Sequence, residues 1–223
     1  MTAPISEDLA KRIAAAIAAK AGLVVVKKTG DVWTVLGLVF DGLRFVGLDV
    51  PSGHDVVGEY AQTVPLTPGL ATPFSAAVLM PDKQLSPDSL AELMVHEGTH
   101  GLQSREDAAW GVKYLQHREY RAGTAEGPAF AGGLAYRWAR TGQLPASLDS
   151  FEHVLRAGYD AQDHAVVGHD VIEMIGTEIS HGVIRNPLAR LAIAITYRDE
   201  PDAIHPDALL LMQANCPEAL VIA

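Results

Sequence analysis

The chain of 223 residues contains one cysteine, Cys216. An internal disulfide is therefore impossible, and so is a cysteine-based zinc site. Long apolar runs are missing too. The longest stretch, from Val32 to Val50, is interrupted by Asp41, Arg44 and Asp49 and is rich in glycine, so it reads as β-structure rather than a membrane span. The start lacks the charged, apolar, small-residue order of a signal peptide. A cytoplasmic location is the default expectation, with export or packaging in a phage or secretion particle left open. Positive charge is scarce: a net charge of −10 argues against nucleic acid, whose phosphates would go unneutralised. Internal repeats are absent, and 48% hydrophobic content excludes general disorder.

What the chain does contain is His96-Glu97-Gly98-Thr99-His100, the H-E-x-x-H pattern of zinc peptidases. On a helix, residues four apart share a face and lie about 6 Å apart along the axis, so both imidazoles can reach one ion. Glu97 is rotated about 100° from His96, which suits a general base beside the water rather than a ligand. Ser86-Pro87-Asp88-Ser89 offers N-cap chemistry, and Leu90, Leu93 and Met94 give the apolar stripe of a buried helix. A surface helix with two carboxylate-paired histidines is the plainer alternative.

Elsewhere, Leu9, Ile13 and Ile17 recur every four residues and predict an amphipathic helix. Leu23–Lys27 and Val32–Phe40 predict a hairpin around Lys28-Thr29-Gly30-Asp31, and Leu43–Val50 and Phe74–Met80 predict further strands. Residues 51–73 read as loop. From Pro87 onward helical signals dominate: Val166–Ile184 is a core helix, Leu188–Tyr197 a helix or strand, and Leu209–Met212 a short apolar element. The expected fold class is α+β, with one domain over 1–223: a helix plus strands over 1–85, metal-binding helices over 86–140, and a helical cover over 141–223.

A third ligand is sought among Glu106, Glu119 and Glu126. Glu106 would need a glycine turn at position 103, where Gln103 stands. Glu119 and Glu126 both remain, and Pro128 predicts that a helix begins near Thr124, with Glu126 in its first turn. Tyr120, Tyr136, Arg137 and His181 are candidate oxyanion donors that no spacing separates. His164 and His169 are poorly placed for one ion, and His169 with Glu173 reads as a simple pair.

Three segments carry a family resemblance: Leu93–Gln103, Trp110–Leu115, and Glu126-Gly127-Pro128-Ala129-Phe130-Ala131. Together they resemble gluzincin-type zincins, and more closely the small uncharacterised metallopeptidase-like proteins of bacteria and phages, over roughly residues 74–140. The resemblance implies a zincin-like fold with a small N-terminal β-sheet packed on the active-site helix and a mostly helical C-terminal part. It implies a Zn2+ cofactor held by His96, His100 and Glu126, with Glu119 the runner-up, Glu97 as catalytic base, and Gln103 as packing or support. Gly98, Gly101 and Gly127-Pro128 depart from that pattern. The expected function is a zinc metallopeptidase acting on a protein or a peptidoglycan peptide. The alternative is a catalytically inactive zincin-fold component of a larger assembly, whose partners are not legible.

Overall fold

The computed structural model describes residues 2–21, 23–29, 32–35, 61–65, 75–79, 86–106, 122–144, 176–179 and 181–222. Helix α1 (Glu7–Ala21) opens on Ser6, whose hydroxyl accepts the Leu9 N–H at 3.1 Å. Its stripe of Leu9, Ile13 and Ile17 is fully buried, as the four-residue spacing predicts. Each such side chain contributes about 1.5–3 kcal/mol on burial. Four short backbone segments follow: β1 (Leu23–Thr29), β2 (Val32–Val35), β3 (Ala61–Pro65) and β4 (Ser75–Leu79), in the order β2-β1-β4-β3. The β1–β2 pairing is antiparallel and ends at Thr29 opposite Val32. β3 lies inside the stretch expected to be loop. The strand expected over Leu43–Val50 falls outside the described residues.

Helix α2 (Pro87–Glu106) starts at Ser86, whose hydroxyl accepts the Ser89 N–H at 3.1 Å. Helix α3 spans Ala122–Thr141, α4 Pro187–Asp199 and α5 Pro206–Asn215. Short 3-10 turns at Pro201–Ala203 and Pro217–Leu220 flank α5. Leu188–Tyr197, open between helix and strand in the sequence, is helical because Asn186 caps it and Pro187 occupies its first turn. α3 begins before the expected Thr124, leaving Pro128 inside the helix, its side chain exposed. The expected core helix over Val166–Ile184 is described only at its end. There residues 176–179 form a helical turn, and Gly182, at φ +67°, closes it where a Cβ would meet the Leu211 carbonyl oxygen at 2.7 Å.

The expected α+β, zincin-like architecture, with a small N-terminal β-sheet packed on the active-site helix, is corrected by this arrangement. Where side chains are described, 79% of residues are helical and none lies in a strand. The buried core is drawn from the helices and the turns between them. Small residues on α2 and α3 let the neighbouring helices approach α2 closely. A Cβ at Gly98 would sit 2.5 Å from Ile17 Cγ2 on α1 and 2.7 Å from Leu188 Cδ1 on α4. A Cβ at Gly133 of α3 would sit 3.3 Å from the Glu92 carbonyl oxygen.

Candidate functional site

α2 runs unbroken through the motif, so His96 and His100 stand one helical turn apart on the same side of its backbone. The His96 ring is half-buried and meets Phe130 of α3 edge to face, with centroids 4.5 Å apart and planes at 79°. Glu97 is buried, only 4% exposed. Gly98 and Thr99, between Glu97 and His100, are both buried. Gly98 fits between α1 and α4, and the Thr99 hydroxyl donates to the Val95 carbonyl at 2.8 Å.

α2 and α3 run antiparallel, and their contacts step along both helices in order. Arg140 donates to Asp88 at 2.7 Å, and Arg137 faces Glu92 at 3.9 Å. Next, a Cβ on Gly132 would reach Val95 at 3.1 Å, and then His96 meets Phe130. Glu92 lies one turn before His96 on this face. Burial pushes its carboxyl up to about 7, against the opposing pull of the Arg137 and His96 charges.

Among the remaining sequence candidates, Tyr136 is buried against α4. Its hydroxyl lies 3.2 Å from Thr196 Oγ1, and burial pushes the phenol up to about 12. It is a core residue, not a donor lining the His96 face. Arg137 is half-exposed beside Glu92, on the same inter-helix seam as His96. His181 sits on the turn after residue 179, with Nδ1 2.7 Å from the Thr177 carbonyl oxygen, remote in sequence and element from α2. Glu106 is the last residue of α2, and Glu126 lies in the first two turns of α3. The side chains of His100, Gln103, Glu106 and Glu126 lie outside the described residues, as do Glu119, Tyr120, His164, His169 and Glu173 altogether. Among the described residues, no three His, Cys, Asp or Glu side chains gather as they would around a metal ion. No described helix is long and apolar enough to cross a membrane.

Sequence reasoning passed over Glu92, Thr99 and Asn186. Glu92 carried a signal, since it stands four residues before His96 and so shares its face. Asn186-Pro187 is an N-cap followed by an N1 proline. Comparison of the chain with known protein families, with curated proteins and with solved structures gives no match.

Proposed function

We propose that the chain is a zinc-dependent hydrolase, a peptidase that works on the α2–α3 seam. The observation that carries this reading is one uninterrupted helix bearing His96, Glu97 and His100, with α3 antiparallel to it in a register that steps regularly toward the motif. The contacts Asp88–Arg140, Glu92–Arg137, Val95–Gly132 and His96–Phe130 follow one another in order along both helices. One more turn brings backbone position 100 level with position 126. Position 119 precedes the start of α3 at Ala122. This supports His96, His100 and Glu126 as the ligand set: two neutral imidazoles and a carboxylate, a donor set suited to catalytic zinc.

Bound there, zinc would polarise the scissile carbonyl and lower the pKa of its water. Glu97 accepts the proton of the attacking water and delivers it to the leaving nitrogen. Phe130 packs against the His96 ring and restricts its rotation. Arg137, half-exposed on the same seam, is the described cation nearest in register to receive a substrate carbonyl or carboxylate.

Zinc analysis of the purified chain tests the reading. The wild type is expected to carry close to one zinc, and the His96→Ala/His100→Ala variant none; equal zinc content in both would remove the basis for it. Glu97→Gln is expected to keep the metal and lose peptide hydrolysis. A wild type that binds zinc and cleaves no peptide in a broad library would instead identify a non-catalytic binding component.

A further inference from the structure

We propose that Asn186 is a positioning residue for this site, one that fixes the rotation of α2 about its own axis through Thr99; the inference rests on the zinc-site reading above. The orientation of the Asn186 amide is settled by its partners. Its Oδ1 accepts from the Leu188 and Ala189 backbone N–H groups at 2.9 and 3.0 Å, capping α4. The NH2 group is thereby turned toward α2, where Nδ2 donates to Thr99 Oγ1 at 2.9 Å. The Thr99 hydroxyl proton is already engaged with the Val95 carbonyl, so the oxygen serves as acceptor. Gly132 of α3 makes the room, since a Cβ there would lie 2.4 Å from Asn186 Nδ2. One amide thus ties together the start of α4, the surface of α3 and the middle of the motif.

The tie matters because of where it attaches. Thr99 lies between Glu97 and His100 and is 6% exposed. On its other side α2 presents Gly98 to Ile17 and Leu188, a position where it has no side chain of its own. Gly98 and Gly101 also lower the intrinsic helix propensity by about 1 kcal/mol each. At a side-chain radius of roughly 6 Å, a 20° rotation of α2 moves an imidazole nitrogen by about 2 Å. Metal–ligand distances tolerate only about 0.2 Å. A hydrogen bond that removes this rotation acts directly on metal affinity.

The test is a chelator competition for zinc on the full chain, read together with the visible spectrum of the cobalt-substituted protein and thermal melting. Thr99→Val keeps the shape of the side chain and removes the acceptor; it is expected to weaken zinc about 10-fold or more and to alter the cobalt spectrum. Thr99→Ser keeps the acceptor and is expected to stay within about 2-fold of wild type. Asn186→Asp retains the cap acceptor for α4 and loses the donor. It is expected to weaken zinc as Thr99→Val does, with wild-type melting, and it decides the matter if Thr99→Val does not fold. Combining the two changes should weaken zinc no further than either alone. If the wild type binds zinc and both Thr99→Val and Asn186→Asp match it, the positioning role is wrong while the site reading stands. A wild type without zinc overturns the site reading itself, and this inference with it.

Discussion

Replacing Gly98 by alanine sets two effects of opposite sign against each other. In an exposed helix interior the change would stabilise by about 1 kcal/mol, because alanine restricts the unfolded chain and favours the helix. Here the new Cβ would sit 2.5 Å from Ile17 Cγ2 and 2.7 Å from Leu188 Cδ1, both closer than carbon atoms pack. Leu188 Cδ1 is the end of a flexible side chain and can turn aside. Ile17 Cγ2 is attached at the branch point of a residue with one strongly preferred helical rotamer, and Ile17 is fully buried, so α1 itself must shift. Overpacking of this kind costs about 1–3 kcal/mol. Taking the upper part of that range and subtracting the propensity gain leaves a net loss of about 1–2 kcal/mol. For a chain of this size the melting temperature should fall by about 2–8 °C. Urea titration of wild type and variant measures the difference. A Gly98→Ala protein that is more stable than wild type would show that α1, α2 and α4 do not approach as closely as described.

Two further outcomes are expected. Glu126→Ala should release zinc to a chelator far more readily than Glu119→Ala, because position 126 lies on α3 and position 119 precedes its start at Ala122; the reverse order would assign the third ligand to Glu119. In zinc-free protein, the Glu92 carboxyl is raised from 4.5 to about 7, so the folded state holds a proton that the unfolded state releases, and stability should fall as pH rises between those values. A shift of that size corresponds to about 3 kcal/mol. With 31% of the side chain reaching solvent, about 1–2 kcal/mol is expected; Glu92→Gln should flatten the slope, and an unchanged slope in denaturant titrations across this range would refute the assignment.

The helices that build the body were legible because each carries its own signal. The four-residue recurrence of Leu9, Ile13 and Ile17 predicted α1, and Ser86 with Leu90, Leu93 and Met94 predicted α2. The error lay in which of them cover the site helix. β-branched runs such as Leu23–Lys27 are conspicuous in a sequence, and they drew the packing surface toward a sheet. Small residues such as Gly98, Gly132 and Gly133 are quiet by comparison, although they decide how closely helices approach. Read alone, each glycine marks a weak point in a helix. Only when α1, α3 and α4 are set around α2 does the missing side chain become a contact. The start of α3 was misjudged for a related reason: Pro128 was given the weight of a helix boundary, whereas an exposed proline on the outer side of a packed helix is tolerated at the loss of one hydrogen bond.

The site divides along the same line. That His96, Glu97 and His100 share one helix was legible because their relation is local, set by the 3.6-residue turn. The choice between Glu119 and Glu126 is a question of register between two helices, and register is set by contacts far from the motif. Asp88 with Arg140 fixes it at the far end, where Arg140 is buried and also donates to the Ala3 carbonyl at 2.7 Å. Losing Arg140 would leave Asp88 and a backbone carbonyl without that donor at one end of the seam, about three helical turns from His100. A slip of one turn there would carry Glu126 about 5 Å along the axis, far beyond what a metal ligand tolerates. The ion pair that holds the helix ends in step is therefore as much a condition of the proposed zinc site as the residues of the motif.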